Sequence, residues 1–316
     1  MYVPAVATAT AAAVLGAGIA LGPGPGPGPG TARAVVPAPA VRALVPAAHG
    51  TPLVIAHRGA SAYAPENTLA AVDRAARMGF AWVENDVQRT RDGELVVVHD
   101  ETLARTTDVE ERFPGRAPWR VRDFTAAEIA TLDAGGWFGP AWAGARVPTL
   151  AGYLRRVDRN GQKLLLEIKR PELYPGIERD TLRVLRAEGW LDRDRDRLRR
   201  RLVVQSFGAE SLRTVHREHP GVVTGFLGAP PVAELPAHAA FVDQINPSHT
   251  AVTPEYVAAV RRLKGPHGKR LRVHTWTVND PAAARRVAAA GVDGIITDRP
   301  DVVRDALARP PAPPAR

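Results

Sequence analysis

The chain has 316 residues, with 45% hydrophobic and 24% charged residues and no cysteine. This composition is ordinary for a globular protein large enough for one α/β barrel of about 250 residues, and the absence of cysteine excludes disulfides, thiolate metal sites and cysteine nucleophiles. A net charge of +9, from 42 Lys+Arg and 33 Asp+Glu, favours an anionic partner, but there is no basic stripe with interleaved aromatic residues and we expect no nucleic-acid binding.

Residues 1–34 resemble a secretory signal peptide. An uncharged, alanine-rich run covers 5–21, and residues 32–34 (Ala-Arg-Ala) have the small-x-small pattern of a signal-peptidase site. No Lys or Arg precedes the run, which is also short for a membrane span, so a retained anchor or a disordered tail is the alternative. We expect export without stable membrane insertion after processing, with disordered segments at 35–50 and 309–316.

From residue 51 to 308, short β-branched runs alternate with amphipathic helical stretches, a pattern typical of a parallel sheet wound by helices. Helices are predicted at 68–78, 149–157, 254–263 and 281–290. Barrel strands are predicted at 53–57, 82–87, 164–169, 201–207, 222–227, 241–248, 271–278 and 294–298. Eight strands are the number that closes a TIM, or (β/α)₈, barrel, so the predicted fold class is α/β.

One further run, ELVVVHD at 94–100, follows the second strand after only a few residues, with Asp92-Gly93 between them. A parallel crossover needs about a dozen or more residues, so this pair is predicted to form an antiparallel β-hairpin. The hairpin returns His99 to a position beside Glu84 and Asp86.

Residues 101–148 are predicted to form a small insertion after this hairpin. One helix is expected at 125–132, opened by a capping box of Thr125 and Glu128. The aromatic residues of the insertion form either a satellite core or a lid at the barrel mouth; they are Trp119, Trp137, Phe138 and Trp142.

Three acidic residues are predicted at strand ends. Glu84 and Asp86 alternate along the second strand and point to the same side, and Glu167 closes the third barrel strand at the same level. Converging carboxylates are costly unless a cation lies between them, and oxygen ligands favour Mg²⁺ or Ca²⁺ over zinc. We expect one such ion here; the alternative is plain ion pairing with Arg58 and Lys169.

Two histidines flank this expected metal site. His57 and Arg58 end the first strand, where Gly59 allows a sharp turn. A lone histidine is usually structural, but His57 and His99 together suit a general base and a general acid. Arg58 and Lys169 are expected to hold phosphoryl oxygens, Arg58 through its planar fork and Lys169 as a point charge.

Four other residues carry weaker predictions. Gln205 and Asn246 lie at strand ends and either line the pocket or brace buried polar groups. Trp276 points either into the barrel core or toward the substrate. Glu66 is expected to fasten the loop after the first strand rather than to bind metal.

The motifs together resemble the glycerophosphodiester phosphodiesterase family, in the family's order, over about residues 51 to 305. They are HRG at 57–59, PENT at 65–68, Glu84-x-Asp86, HD at 99–100, LEIK at 166–169, TWTVN at 275–279 and GIITDRP at 294–300. One departure is Asn85, where the family more often has an apolar or small residue. Its side chain should point away from the site, so we expect little functional effect.

This resemblance implies a TIM barrel with a small insertion after the hairpin, and metal-dependent hydrolysis of glycerophosphodiesters to glycerol 3-phosphate and an alcohol. It implies that His57 and His99 are the acid/base pair. By the same resemblance, Glu84, Asp86 and Glu167 would be the metal ligands, and Arg58 and Lys169 would bind the phosphate. In the family, attack by the neighbouring glycerol hydroxyl through a cyclic phosphate is a plausible route.

Other substrates and another class of function stay open at this point. Lysophospholipids would fit an apolar lid, and polyglycerol-phosphate wall polymers would fit an open mouth. A protein that binds phosphodiesters without cleaving them is the non-enzymatic alternative, but a binding module has no need of the second histidine.

Overall fold

The computed structural model of the chain describes residues 50–191, 198 and 201–308. The predicted signal segment at 1–34, the tail at 309–316 and all but the last residue of the linker at 35–50 lie outside these residues. None of the helices in the described ranges is both long and apolar enough to cross a bilayer.

A closed ring of eight parallel strands confirms the predicted TIM barrel, and a ninth, antiparallel strand pairs with β2 at its edge. The ring runs β1-β2-β4-β5-β6-β7-β8-β9 and returns to β1. Within the described residues the strands are β1 Leu53–Ala56, β2 Trp82–Arg89, β3 Leu95–Val97, β4 Lys163–Ile168, β5 Leu202–Ser206, β6 Val223–Leu227, β7 Gln244–Asn246, β8 Arg272–Thr275 and β9 Gly294–Thr297. Each predicted strand is therefore present; β2 extends two residues further than predicted, β4 is shifted by one residue, and the others are shorter.

The predicted hairpin is formed by β2 and β3. Strand β1 pairs with β2 only as far as Val83, because β1 ends at Ala56. Further along β2, the free edge is taken by β3, with Val87 opposite Val97 in antiparallel register. Gly93 has a φ of +90° in the connecting turn, a conformation that glycine adopts at little cost. The hairpin thus extends β2 past the carboxyl-terminal rim of the barrel.

Helices pack around the barrel and begin where the sequence supplies a capping side chain. Thr68, Thr149, Thr253 and Asp280 each accept a backbone N–H of the first turn, which satisfies an otherwise unpaired donor. The longer described helices are Leu69–Arg77, Leu150–Arg159, Ile177–Ala187, Ala209–Glu218, Pro254–Arg261, Pro281–Ala289 and Pro300–Ala308, and the shorter ones are Val109–Arg112, Ala126–Ala130 and Leu235–Ala239.

The insertion has a hydrophobic core of its own. Aliphatic residues with Phe124 form it, and Trp119 packs against it. The capping box of Thr125 and Glu128 is present, but its helix ends at Ala130. Trp137 is 41% exposed on a loop outside this cluster, where it meets Phe138 edge to face. The satellite core is therefore built largely from residues other than the predicted tryptophans.

Candidate active site

The three predicted carboxylates meet at the carboxyl ends of β2 and β4. Asp86 lies opposite Glu167 in the parallel register, and Glu84 precedes Asp86 by two residues on the same strand. All three are buried, with one oxygen from each within 4.8 Å of the others. Sequence alternation and strand pairing are sufficient to bring them together.

The cluster holds more negative charge than its neighbours neutralise. Lys169 Nζ lies 2.9 Å from Glu167 Oε1 and 3.8 Å from Asp86 Oδ1. Arg58 Nε lies 3.4 Å from Asp86 Oδ2, but its Nη1 is shared with Glu66. Asp86 Oδ1 is buried and has no hydrogen-bond partner. The predicted ion pairs are thus present, and an oxygen-only site with an unsatisfied ligand atom still fits a hard divalent cation.

The pKa values of the cluster show the same excess of negative charge. Burial and the nearby Asp86 carboxylate raise the pKa of Glu167 to about 8. Burial, Asp86 and Glu167 also raise the pKa of Glu84. Burial also raises the pKa of Asp86, but the nearby cations Arg58 and Lys169 outweigh burial and lower the pKa of Asp86 to about 2. Without a cation the cluster therefore resists full ionisation.

His57 is held by an aspartate that the sequence reasoning missed. Its Nδ1 lies 2.6 Å from Asp298 Oδ1, and Asp298 also accepts hydrogen bonds from Ser61 and Asn279. The imidazole Nε2 faces the acid cluster, 3.9 Å from Glu84 Oε2. Because Nδ1 is engaged by a carboxylate, Nε2 is the nitrogen left for chemistry. Asp298 directly follows β9 in the GIITD segment, a strand-end position that could have signalled it.

His99 has a matching aspartate. Its Nδ1 lies 2.7 Å from Asp100 Oδ1. Arg105 donates to Asp100 from Nε at 2.6 Å and to both carboxylate oxygens of Glu66 at 2.8 Å, and Glu66 accepts from Arg58 at 2.8 Å. Glu66 therefore fastens the loop after β1 to the hairpin, as predicted. The contacts of Arg105, at the start of the insertion, were not predicted.

The loop after β1 adopts an unusual backbone conformation at the site. Arg58 and Asn67 have φ values of +53° and +59°, in the left-handed region that costs energy for residues with a Cβ. The turn directs Arg58 N to Glu84 Oε2 at 3.0 Å and Asn67 Nδ2 to Asp86 Oδ2 at 2.8 Å. At Gly59, with a φ of +80°, a Cβ would lie 2.6 Å from Ala71 backbone carbon, so the turn requires glycine.

Amide side chains occupy the other half of the barrel mouth. Asn246 Nδ2 donates to Gln205 Oε1 at 2.9 Å, and Gln205 Nε2 donates to Glu84 Oε1 at 3.5 Å. Gln205 lines the cavity, whereas Asn246 is fully buried behind it and braces it. Trp276 lines the cavity, packs against the barrel-interior cluster and donates from Nε1 to Asn246 O at 2.8 Å, so it lies between the two positions that the sequence left open.

A cavity of about 190 Å³ opens in front of these groups. Its walls include His57 and His99 and the two cationic residues Arg58 and Lys169. Phe207, 52% exposed, meets Trp276 edge to face with ring centroids 5.6 Å apart. Phe207 was not predicted to lie at the site, although it directly follows β5, two residues after Gln205. Asn85 is not among the residues that line the cavity.

Comparison with known proteins agrees with this geometry. Residues 57–302 match the sequence profile of the glycerophosphoryl diester phosphodiesterase family. A glycerophosphodiester phosphodiesterase of Caldanaerobacter subterraneus is 37% identical over 79% of this chain and 96% of its own length. One of Bacillus subtilis is 35% identical over 79% and 84%.

A solved structure of an Oleispira antarctica phosphodiesterase, in complex with the product sn-glycerol-3-phosphate, superposes with a TM-score of 0.70. It is 28% identical and covers 82% of this chain and 98% of its own. With most of the chain matched by the family profile, the protein belongs to the glycerophosphoryl diester phosphodiesterase family.

Proposed function

We propose that the chain hydrolyses glycerophosphodiesters to glycerol 3-phosphate and an alcohol, by histidine acid/base catalysis that depends on one divalent cation, Ca²⁺ or Mg²⁺. One observation carries the proposal: His57 and His99 line the same cavity as the acid cluster, and each is held at Nδ1 by an aspartate. The product bound in the Oleispira antarctica relative supports the same substrate class.

Glu84, Asp86 and Glu167 would hold the cation, which would neutralise the phosphate charge and orient the glycerol hydroxyl. Arg58 and Lys169 reach the same cavity and would bind the phosphoryl oxygens. Their contacts with the acid cluster hold them in place, so binding the phosphate requires little further ordering of either side chain.

The histidines would move the protons. One Nε2 accepts the proton of the attacking hydroxyl, and the other donates a proton to the leaving alkoxide oxygen. If the neighbouring glycerol hydroxyl attacks, the first step releases the alcohol and forms a cyclic phosphate, which water then opens. The two protonation states reverse in the second step, so His57 and His99 each act once as an acid and once as a base.

The cavity favours small diesters over lysophospholipids. Trp137 and Trp142, which a lysophospholipid-specific lid would use, are not among its lining residues, and the apolar side chains at the mouth are Phe207, Leu227 and Trp276. About 190 Å³ accommodates roughly six water-sized volumes, which suits a glycerol phosphate moiety. The alcohol would extend through the mouth.

A substrate panel with metal add-back tests the proposal. Purified chain, stripped with EDTA, is given Ca²⁺ or Mg²⁺ and assayed on glycerophosphocholine, glycerophosphoethanolamine, lysophosphatidylcholine and polyglycerol phosphate. We expect release of glycerol 3-phosphate from the first two, lost on chelation and restored by one of the ions. Binding without turnover under every condition would contradict the enzymatic proposal and favour a binding protein.

We also propose that the chain is exported, from the signal-like pattern of residues 1–34. Expression of the full chain in a host with a secretory pathway, followed by N-terminal sequencing of protein recovered from the medium, tests this. We expect a mature start near residue 35. Retention of the unprocessed chain inside the cells would contradict export.

A further inference from the structure

Arg105 joins two carboxylates that lie behind the active-site cavity. It donates to Asp100 Oδ2 from Nε at 2.6 Å and to Asp100 Oδ1 from Nη2 at 3.1 Å. Its Nη1 and Nη2 also donate to the two oxygens of Glu66, each at 2.8 Å. The Arg105 side chain is 44% exposed, and a single exposed ion pair contributes little, but a planar guanidinium that binds two acids in bidentate geometry fixes their positions.

Each of these carboxylates holds one side chain of the cavity wall. Asp100 Oδ1 lies 2.7 Å from His99 Nδ1, and Glu66 Oε1 accepts from Arg58 Nη1 at 2.8 Å. His99 and Arg58 line the cavity, whereas Arg105 is not among its lining residues. Arg105 can therefore act on the reaction only through the two acids.

Arg105 also helps to keep both carboxylates charged. Burial alone would raise the pKa of Glu66, but Arg105 and Arg58 outweigh burial and lower that pKa. His99 and Arg105 lower the pKa of Asp100 against the effect of burial. An ionised Asp100 keeps the hydrogen of the imidazole on His99 Nδ1 and leaves Nε2 for proton transfer. Without Arg105, two carboxylates that now share its Nη2 would lie close together with one cation fewer.

The insertion fixes the backbone on both sides of Arg105. Leu103 is fully buried in the hydrophobic core of the insertion, and its backbone N–H donates to Trp119 O at 2.9 Å. Thr107 is buried, and its hydroxyl donates to Leu103 O at 2.7 Å. The insertion therefore holds the Arg105 backbone, while the side chain extends to the barrel loop that carries Glu66.

We propose that Arg105 is a positioning residue for the active site and that the insertion serves to present it. Through Asp100, Arg105 orients the acid/base residue His99. Through Glu66, it orients the phosphate-binding residue Arg58. This inference rests on the proposed function, because it concerns the roles that the two cavity residues have in that reaction.

The two connections predict different kinetic effects. Asp100 stabilises the imidazolium of His99 while it carries the transferred proton, so the connection through Asp100 contributes to kcat. Arg58 binds the phosphate in the ground state as well as in the transition state. Loss of its position therefore raises KM and has little effect on kcat.

Steady-state kinetics on glycerophosphocholine, with a saturating concentration of the ion that supports turnover, test the proposal. Arg105→Met keeps a long side chain but removes every donor. We expect kcat to fall about tenfold and KM to rise about tenfold, as for the loss of hydrogen bonds between charged groups. Arg112→Met is the matched control, because Arg112 is an exposed arginine of the same insertion that pairs with Asp108 one turn away, and it should match the parent.

Two variants of the acids separate the connections. Asp100→Asn should lower kcat with little change in KM, and Glu66→Gln should raise KM with little change in kcat. Adding Arg105→Met to Asp100→Asn should raise KM but lower kcat little further, because the connection to His99 is already broken. If Arg105 had a merely structural role, its substitution would instead add the same losses to both acid variants.

Arg105→Lys keeps the charge but replaces the planar fork with one ammonium group, and it carries the comparison if thermal melts show Arg105→Met unfolded. We expect the same two losses at a smaller size. The proposal is overturned if folded Arg105→Met matches Arg112→Met, if Arg105→Lys has the kcat and KM of the parent, or if Arg105→Met adds equal losses to both acid variants. An inactive parent with either ion would contradict the proposed function and this inference with it, whereas any of these results with an active parent contradicts the inference alone.

Discussion

The two halves of the barrel mouth bury different kinds of polar side chain. On β1, β2 and β4 the inward-facing groups are charged, with Glu84, Asp86 and Glu167 buried beside two cations. On β5 and β7 they are the neutral amides of Gln205 and Asn246. Both halves bury polar atoms, but only the charged half carries an excess of one sign.

Under the proposed function, the charged half would perform the chemistry and the amide half would support it. The amides form a chain of hydrogen bonds from Asn246 to Gln205 to Glu84, and its last bond, to Glu84 Oε1, is long at 3.5 Å. The acid cluster has raised pKa values at Glu84 and Glu167, which a bound divalent cation would lower. We expect changes in the charged half to have large, metal-dependent effects and changes in the amide half to have small ones.

The largest effect is expected at the histidines that border the charged half. His57→Ala or His99→Ala should each lower the rate on glycerophosphocholine by at least about a hundredfold, because general acid or base catalysis contributes that much. His238→Ala, on the helix Leu235–Ala239 and outside the active-site cavity, is the matched control and should retain the rate. Near-normal turnover by either active-site variant would show that its imidazole does not carry a proton in the reaction.

The next effect concerns stability without metal. A carboxyl whose pKa is raised on folding, such as Glu167 at about 8, destabilises the folded state as pH rises from its ordinary value toward that pKa. Asp86, with a pKa lowered to about 2, adds stability that is lost only as pH falls below about 4. In EDTA, Glu167 should therefore lower the free energy of unfolding by about 3–4 kcal/mol between pH 5 and pH 8. The buried His274, whose pKa is lowered to about 4, offsets part of this because the unfolded chain loses its proton over the same range, so the net fall should be on the order of 2 kcal/mol.

Thermal melts across this pH range, with and without Ca²⁺ or Mg²⁺, provide the measurement. At roughly 2–4 °C per kcal/mol, the metal-free melting temperature should drop by several degrees, and the bound cation should remove most of the drop. Glu167→Gln cannot ionise at this position and should show a flatter profile than the parent in EDTA. A melting temperature that rises from pH 5 to pH 8 in EDTA would contradict the excess of negative charge in the cluster.

Much of this charged half could be predicted from the sequence, because its determinants are local. Alternation along β2 sets Glu84 and Asp86 on one side, and the short Asp92-Gly93 connection specifies a hairpin that returns His99. The barrel strands could be predicted from β-branched runs bounded by turn residues. The predicted strands run one residue past the observed ends at His57 and Lys169, although the backbone N–H of each still donates across the sheet, to Thr297 O and Val87 O.

Two sets of contacts between distant segments could not be predicted. His57 and Asp298 are 241 residues apart, and they meet only because β1 and β9 close the barrel. Arg105 reaches Glu66 and Asp100 through the conformation of the insertion, which no periodicity describes. For the aromatic residues of the insertion the sequence left a satellite core and a lid open; the core is formed mainly by aliphatic residues, and Trp137 lies outside it and is exposed.

A smaller effect on rate is expected from the aspartates behind the histidines. Asp298→Asn keeps the size and replaces the carboxylate that accepts from His57 Nδ1, so the imidazole loses both its fixed tautomer and its charge stabilisation. We expect kcat to fall about tenfold, equivalent to about 1.4 kcal/mol, with little change in KM and a shifted pH–rate profile. Asp305→Asn, exposed on the last described helix, is the control. A change in KM alone would assign Asp298 to substrate binding instead.

The smallest effect is expected in the amide half. Gln205→Leu removes a donor that reaches Glu84 only at 3.5 Å, a long hydrogen bond that contributes little, so turnover should fall by less than about tenfold. Gln205→Glu instead adds a carboxylate and extends the charged half across the mouth. This variant should be less stable than Gln205→Leu in EDTA at pH 8 and should gain more from Ca²⁺, because a fourth acid raises the need for a cation. If Gln205→Leu costs as much as His57→Ala, the amide takes part in the chemistry and the division between the two halves is wrong.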